Sequence, residues 1–455
     1  MMTDLQGHAL SGANHEALAA YEASVAAFQL YRGDPMASLA QAISVAPRFA
    51  MAHVLQGHLL ALATEPDCVA MARDVLKGLR EMPLNEREAS HAAVIERVLD
   101  GEWTEAALTM DHHNMRYPYD VVALQVGHLI DFYRANARNL RDRIARALPQ
   151  WSPEMPGYAI LLGMYAFGLE ECGDYIRAEA TGREALDLEP LDCWAHHAVA
   201  HVLEMQGRAQ DGVGWMRMRE PFWSGDDNFF KAHNAWHGAL CYLDLGQTQE
   251  VLGIYDGIVR KTPSAVALDL VDASALLWRL HLVGVDVGDR WQEVARAWDA
   301  HADGQLYPFN DWHAVMAYLG AGRLADVQRL AHVLRQADGK TEVSRWATDT
   351  GADLVQGFAA HWTGEHDTAV QHLYRARHIV NRFGGSHAQR DIIDWTLTES
   401  ALRTGQSGLA EALAHERLAQ KPHSPVNRGF LLRARGVQPR AESHVKPGRG
   451  AALAN

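Results

Sequence analysis

The sequence lacks the features that mark several common classes of protein. Its four cysteines, Cys68, Cys172, Cys193 and Cys241, form no CxxC pair, so neither a disulfide framework nor a cysteine zinc site is expected. No apolar run approaches the roughly 20 residues that span a bilayer. The first residues also lack the basic segment followed by an apolar one that defines a signal peptide. We therefore expect a cytoplasmic protein that does not bind membranes.

Positive charge is also scarce, because 42 lysines and arginines face 56 aspartates and glutamates, which gives a net charge of −14. Nucleic acids and anionic membranes attract basic surfaces, so neither is an expected partner. The Walker A loop, the G-x-G-x-x-G loop after a strand and the G-x-S-x-G turn are missing as well. These absences argue against nucleotide hydrolysis, dinucleotide redox chemistry and serine-hydrolase chemistry on a standard fold.

Apolar–polar alternation long enough for a strand is absent too, whereas helical periodicity runs through most of the chain. In the first segment Leu18, Tyr21, Val25 and Phe28 recur at steps of three and four, which places them on one helical face. Similar segments follow, separated by short polar turns. The chain is therefore predicted to be all-α.

A spaced glycine–alanine–proline signature repeats along this helical chain. Glycine allows the turn between paired helices, alanine lets two helices approach closely, and proline cannot continue the second helix. The spacing is typical of the tetratricopeptide repeat of about 34 residues. The signature occurs at Gly101, Ala106 and Pro118, at Gly173, Ala178 and Pro190, and at Gly405, Ala410 and Pro422, with its first half at Gly364 and Ala369.

We therefore predict an α-solenoid of tetratricopeptide-like helix pairs over residues 1–435. Segments 67–98, 136–172 and 262–310 are helical but out of register with the signature, so an irregular superhelix is expected. Residues 436–455 carry Pro, Gly, Ser and charges without periodicity and are predicted to be a disordered tail. The pattern does not indicate an oligomeric state.

Ionisable residues collect on the predicted helices in the middle of the chain. His197 and His201 lie four residues apart and share one helical face, as do His233 and His237. The second pair follows the first by 36 residues, about one repeat. Residues one repeat apart lie on adjacent helices of a solenoid, so we expect the four histidines to line one patch of its groove.

Carboxylates extend this pattern. Glu204 lies three residues after His201, and Asp269 and Asp272 follow the second histidine pair by about one repeat. A carboxylate orients a neighbouring imidazole and raises its pKa, and such pairs serve as general acids or bases. This series of polar residues on successive repeats continues later in the chain with Asp311 and His313, and it extends back to Tyr165.

Two functional hypotheses follow, and the sequence leaves open whether the chain is an enzyme. In the first, the groove is the active site of a small-molecule hydrolase or lyase, with His201 or His237 as base and Asp272 orienting it. In the second, the solenoid is a non-catalytic interaction module that binds a protein or peptide partner. The predicted catalytic residues are His201, His237, Asp272, His313 and Glu204, and the predicted substrate-binding residues are His197, His233, Asp269, Asp311, Trp194, Trp236, Tyr165 and Arg390.

The first hypothesis requires no cofactor, and none is predicted. A zinc or iron ion is the alternative, because histidines at i and i+4 with a nearby carboxylate are competent ligands. Against a metal, Ala198 stands where the H-E-x-x-H motif requires glutamate. Glu204 also follows His201, which reverses the Glu-x-x-His order of di-iron bundles.

The segment GGSHAQRD at 384–391 opens a late helix. Ser386 is predicted to cap this helix, because serine at that position accepts a hydrogen bond from the first turn. The alternative role for the segment is that Arg390 binds a substrate carboxylate.

Five segments of the chain are distinctive beyond the general repeat signature: WAHHAVAHVLEMQGR, FFKAHNAWHGALCYLDLG, ALDLVDASALLWRL, FNDWHA and GGSHAQRD. They resemble segments of the tetratricopeptide repeat protein 38 family, and the resemblance spans about residues 15–435. It implies an α-helical repeat fold of this length and a cytosolic setting, and it supplies no catalytic residue.

Overall fold

The computed structural model describes residues 2–437, and these residues are almost entirely helical. Consecutive helices pack as pairs, and the first helices of successive pairs also pack on one another. This arrangement confirms the predicted all-α solenoid of tetratricopeptide-like helix pairs. In chain order the helices are α1 (His15–Leu30), α2 (Pro35–Val45), α3 (Ala50–Leu62), α4 (Pro66–Leu79), α5 (Glu86–Leu99), α6 (Trp103–Arg116), α7 (Val121–Tyr133), α8 (Ala137–Ala147), α9 (Tyr158–Glu171), α10 (Tyr175–Leu188), α11 (Cys193–Met205), α12 (Ala209–Trp223), α13 (Lys231–Asp244), α14 (Thr248–Ile254), α15 (Ala267–Leu282), α16 (Arg290–Trp298), α17 (Pro308–Gly320), α18 (Leu324–Arg335), α19 (Glu342–Trp346), α20 (Ala352–Trp362), α21 (His366–Ala376), α22 (His387–Arg403), α23 (Ser407–Gln420) and α24 (Pro425–Ala434).

The glycine–alanine–proline signature has the predicted structural roles. Gly173, in the turn after α9, has a φ of +79°, a left-handed conformation that residues with a side chain disfavour. Ala178 in α10 is fully buried, as are Ala106 and Ala410 at the equivalent positions of α6 and α23. Pro190 follows shortly after the end of α10. The local spacing therefore locates these helix boundaries correctly.

The first helix of each pair contributes to the inner layer of the superhelix. Every residue of α11 is buried, whereas α10 in the outer layer buries only one narrow face. A helix that is buried on every side needs neighbours all round. Helices α9 and α13 flank α11, α12 covers it, and α22 packs against it from a distant part of the chain.

The superhelix returns on itself, so the groove expected from the sequence is largely enclosed. Asn310 of α17 donates to the Oγ1 of Thr64 at 3.0 Å, across 246 positions of sequence. Lys421 donates to Glu204 at 3.1 Å, across 217 positions. Such bonds hold repeats that are distant in sequence against each other.

Short elements interrupt the helix pairs. Strands β1 (Met2–Thr3) and β2 (Ala9–Leu10) form an antiparallel hairpin before α1, and they are too short for alternation to predict. The predicted tail at 436–455 lies, from residue 438 onward, outside the described residues. Among the helices of residues 2–437, none combines the length and the apolarity of a bilayer span. Single turns of 3₁₀-helix lie at Leu148–Gln150 and Val380–Arg382, and π-helical turns lie at Tyr255–Val259 and Ala347–Gly351.

Close packing of α9 on α8 makes a first prediction. A Cβ atom at Gly168 would lie 2.5 Å from the backbone nitrogen of Arg141, which is closer than non-bonded atoms approach. We expect Gly168→Ala to lower the free energy of unfolding by about 1–3 kcal/mol, because overpacking shifts the backbone. Gly253→Ala in α14 is the matched control, since a Cβ there meets nothing within 4 Å. Urea denaturation measures both variants, and equal stabilities would contradict the close approach.

Candidate functional site

A cavity of about 460 Å³ lies where the inner helices of early and late repeats meet. Its wall is mainly apolar and includes Phe28, Phe132, Trp194, Phe230 and Phe309, which come from widely separated helices. Cavities that bind small molecules usually measure about 300–1,000 Å³ and carry a few polar groups in an apolar wall. The volume and the apolar wall of this cavity fall within that range.

The exposure of the wall residues shows which end of the cavity faces solvent. Asp34 and Phe229 line the cavity and are exposed, Phe229 by 50%. Trp194, His197 and His233 line it as well but are buried. A molecule that enters beside Phe229 therefore passes aromatic and aliphatic side chains on its way to the two histidines.

Two inner helices place four histidines in one buried cluster. His197 and His201 lie one turn apart on α11, and His233 and His237 lie one turn apart on α13. Each offers one ring nitrogen, and these nitrogens lie within 4.8 Å of one another. We call these residues the four-histidine cluster. The structure brings them together as the one-repeat spacing predicts, because α11 and α13 are adjacent inner helices.

Carboxyl groups surround the four-histidine cluster, and each of three faces the Nδ1 atom of one histidine. The Nδ1 of His233 donates a hydrogen bond to Asp272, which fixes the tautomer of the ring and leaves Nε2 as the acceptor. Lys421 in turn donates to Glu204 and helps to hold that carboxylate in place. The three pairs are Asp272 with His233 at 2.8 Å, Glu204 with His237 at 3.3 Å and Glu170 with His201 at 3.4 Å.

Burial keeps the imidazoles of His197, His201 and His237 uncharged at neutral pH. Loss of water lowers the pKa of His201 to about 4. Burial and the neighbouring imidazoles lower the pKa values of His197 and His237 well below their usual range. Glu171 and Glu204 do raise the pKa of His201, as expected of carboxylates, but desolvation outweighs their effect and the net shift is downward. Neutral imidazoles can accept a proton or bind a metal ion.

Two predicted residues on α17 have partners outside the four-histidine cluster. The Nδ1 of His313 donates to the carbonyl of Phe309 at 2.8 Å, one turn earlier in the same helix. Asp311 accepts from the backbone N–H of Gly304 at 2.9 Å. Both side chains thus bond within their own helix and loop. The structure does not bring His313 to the other predicted catalytic residues, and it does not place Asp311, a predicted substrate-binding residue, in the cavity wall.

Tyr165 and Arg390 also lie away from the cavity wall. The hydroxyl of Tyr165 accepts from Arg177 at 2.8 Å on the outer side of α9. Arg390 faces Glu171 at 3.4 Å, so its guanidinium already has a carboxylate partner within the protein. Ser386 accepts from the first turn of α22 in a capping box, which confirms its predicted role as the helix cap.

The remaining predicted binding residues flank the cluster in different ways. Trp194 lines the cavity and packs on His197, with 4.9 Å between the ring centroids. Trp236 lies behind His233, with nearly parallel rings and 5.5 Å between the centroids. Asp269 is half-buried, and it is not among the wall residues. Trp194 is therefore a wall of the site, and Trp236 supports one of its histidines.

A second histidine network lies between α3, α5 and α6. His58 hydrogen-bonds to His91 at 3.0 Å, and His91 and His113 approach Asp120 at 3.0 and 3.1 Å. The guanidinium of Arg87 donates to the same carboxylate at 2.6 Å. The partners are all internal, so this network stabilises the packing of early repeats.

Sequence reasoning missed Glu170, Glu171 and Lys421. The two glutamates end α9, whose sequence YAILLGMYAFGLEE is otherwise apolar, and both are buried. Acidic residues are rarely buried without partners, so their position in an apolar helix was a usable signal. Lys421 reaches Glu204 from a repeat near the end of the described chain, and local sequence contains no sign of that approach.

The buried imidazole of His128 makes a prediction about pH. Burial lowers its pKa to about 3, whereas an unfolded histidine has a pKa of about 6.5. As pH falls below 6.5 the unfolded chain gains a proton that the folded chain does not, so His128 lowers stability. As the pH is lowered from about 7.5 to about 5, we expect the stability of His128→Leu relative to the wild type to rise by about 2 kcal/mol. Urea denaturation at both pH values checks this, and exposed His332→Leu should show no such gain.

Comparison with known proteins adds only a general likeness. No protein-family model matches the chain. A chain of the APC/C hetero-tetramer Cut9–Hcn1 aligns over 92% of this chain and 76% of its own, at 15% identity and a TM-score of 0.42. A monomeric mutant of IFIT1 solved with Gppp-AAAA aligns over 93% of this chain and 96% of its own, at 12% identity and a TM-score of 0.41. The helix pairs described above make the chain a tetratricopeptide-like repeat protein.

Proposed function

We propose that the protein binds a mainly apolar small molecule in the central cavity and acts on it at the four-histidine cluster, as a hydrolase or lyase. The proposal depends on one observation: the central cavity and the four-histidine cluster share residues. His197 and His233 belong both to the cavity wall and to the cluster. The apolar part of a bound molecule would therefore contact the cavity wall, and its reacting polar group would lie at the histidines.

The proton transfer would depend on His233 more than on His201 or His237, the residues predicted from the sequence to be the base. His201 and His237 do not line the cavity, whereas His233 does and is held by Asp272. In a hydrolysis, water would give a proton to Nε2 of His233 while its oxygen adds to an ester or amide carbon. The protonated ring would then return that proton to the alcohol or amine as the C–O or C–N bond breaks. In an elimination, the same nitrogen would take a C–H proton while the adjacent bond to the leaving group breaks.

A matched pair of variants on α1 tests the proposal. Ala27 lines the cavity, whereas its neighbour Ala26 is exposed. We expect Ala27→Trp to fill part of the cavity and to abolish conversion of the substrate, and Ala26→Trp to convert it like the wild type. Each purified protein is incubated with a cell extract, and the small molecules that change are identified by mass spectrometry. Conversion by Ala27→Trp at the wild-type rate would contradict the proposal.

The interaction module is the second candidate function. Solenoids of helix pairs often present surfaces to protein or peptide partners, and outer helices here expose large apolar side chains. Ile176 on α10 is 84% exposed and Met218 on α12 is 62% exposed. A partner that co-purifies with the wild type and is lost from Ile176→Lys, without any change in the extract's small molecules, would favour this function.

The proposal also covers the cellular location, the partners and the family of the protein. A cytoplasmic location, a small molecule or protein as partner and the absence of nucleic-acid or membrane binding follow from composition and charge. The segments that resemble the tetratricopeptide repeat protein 38 family contain His201 and His237, and a test of the cluster would bear on that family too.

A further inference from the structure

The hydrogen bonds of the four-histidine cluster leave two ring nitrogens in an unfavourable contact. The Nδ1 of His233 faces Asp272 at 2.8 Å, and the Nδ1 of His237 faces Glu204 at 3.3 Å. A carboxylate only accepts hydrogen bonds, so each Nδ1 must donate and each neutral ring has its lone pair on Nε2. These two Nε2 atoms lie 3.3 Å apart. Two buried lone pairs at this distance require a proton or a cation between them.

Two more imidazoles distinguish these alternatives. Among residues 2–437, the Nδ1 of His197 and the Nε2 of His201 have no hydrogen-bond partner, although both side chains are buried. The Nδ1 of His201 faces Glu170 at 3.4 Å without forming a hydrogen bond. Unpartnered buried nitrogens are costly, and most buried polar groups find a partner. A proton between His233 and His237 would satisfy only those two rings. A metal ion accepts lone pairs from all four.

We infer that the four-histidine cluster binds a divalent transition-metal ion, with zinc as the best fit. Zinc is tetrahedral, with Zn–N distances of about 2.0–2.1 Å, so two of its nitrogen ligands lie about 3.3 Å apart. The Nε2 atoms of His233 and His237 already have this separation. The ligand nitrogens of the full cluster lie within 4.8 Å of one another, so side-chain rotations would have to close the wider pairs to the zinc distance.

The surroundings of the cluster also suit a cation. A metal-bound histidine usually donates its other N–H to a carboxylate, which orients the ring and raises its basicity. His233 and His237 have this arrangement with Asp272 and Glu204. The carboxylates also offset the charge that a divalent ion brings into a buried site.

The second histidine network lacks these properties. Its carboxylate, Asp120, already pairs with the guanidinium of Arg87 at 2.6 Å, and a metal ion there would meet a fixed positive charge. The Nδ1 of His91 is bonded to His58 at 3.0 Å. His113 of this network therefore supplies a control for metal binding at the four-histidine cluster.

The test uses the full chain and Zn²⁺ alone. Protein stripped with a chelator is titrated against Zn²⁺ in competition with a chromophoric chelator, and bound zinc is counted after dialysis. We expect about one ion per chain, a loss of binding of at least about 100-fold in His201→Gln and His237→Gln, and unchanged binding in His113→Gln. Asp272→Asn, which keeps all four imidazoles, should weaken binding by about 10–100-fold. Absence of binding by the wild type, or loss only in His113→Gln, would overturn the inference.

A second measurement needs no variant, in case the histidine variants do not fold. Replacement of zinc by Co²⁺ in the wild-type chain should give the intense visible absorption of a tetrahedral complex with nitrogen ligands. The weak absorption of a six-coordinate ion would overturn the inference. A nitrogen that binds zinc has no lone pair left for a proton, so Nε2 of His233 would act as the base of the proposed reaction only in the metal-free protein. The two inferences therefore fail separately: loss of turnover in Ala27→Trp with no zinc binding would remove only the metal, and zinc binding with no turnover would remove only the reaction.

Discussion

Replacing His233 by glutamine is expected to lower the turnover of the substrate by about 10²–10⁴-fold, the usual loss when a general acid or base is removed. His233 is the member of the cluster that both lines the cavity and bonds to Asp272, so it is in place to exchange a proton with a bound molecule. Glutamine has similar length and can still donate to Asp272, which preserves the packing. The measurement is kcat on the metabolite that extract profiling identifies.

Stability provides the control for this variant. Thermal unfolding of His233→Gln should lie close to that of the wild type if the imidazole acts in chemistry. Wild-type turnover in a well-folded His233→Gln protein would show that this imidazole takes no part in the reaction.

Replacing Arg390 by methionine is expected to lower the free energy of unfolding by about 3–5 kcal/mol. The guanidinium is buried and faces Glu171, which is also buried, at 3.4 Å, and it joins α22 to α9 across 219 positions of sequence. Removal of the guanidinium leaves the buried carboxylate of Glu171 with the backbone N–H of His387, at 2.8 Å, but without its cationic partner, which is the origin of the large cost. Urea denaturation measures the difference.

The matched control is an exposed ion pair. Arg138 pairs with Asp142 in α8, and its side chain is 86% exposed. Arg138→Met should change stability by no more than about 0.5 kcal/mol, because water screens surface pairs. A cost below about 1 kcal/mol for Arg390→Met would mean that the buried pair does not hold the two helices together.

The sequence predicts the parts of this structure that depend on neighbours along the chain. Gly173, Ala178 and Pro190 mark a turn, a close helix contact and a helix end within one repeat, so their spacing alone identifies them. The approach of His201 to His237 was predictable for a similar reason. Successive repeats are related by a nearly constant step, so residues one repeat apart on inner helices become neighbours.

Features that depend on the sum of many repeats were not predictable in this way. Each step between repeats adds a small rotation, and only their total decides whether the superhelix stays open or returns on itself. The contacts of Thr64 with Asn310 and of Glu204 with Lys421 arise from this total. The cavity is a consequence of the same closure. His313 shows where prediction from repeat spacing fails. Its position in the series of polar residues suggested a shared site, but its ring bonds within its own helix.

The central claim is that the cavity and the four-histidine cluster form one site, and a co-crystal structure of the full chain with the converted metabolite, or a slow analogue of it, tests this most directly. The account predicts electron density between Phe132 and Trp194, with the reacting atom within about 3.5 Å of Nε2 of His233. Density on the outer helices, or in the cavity with the reacting group pointing toward Phe229 and solvent, would contradict it.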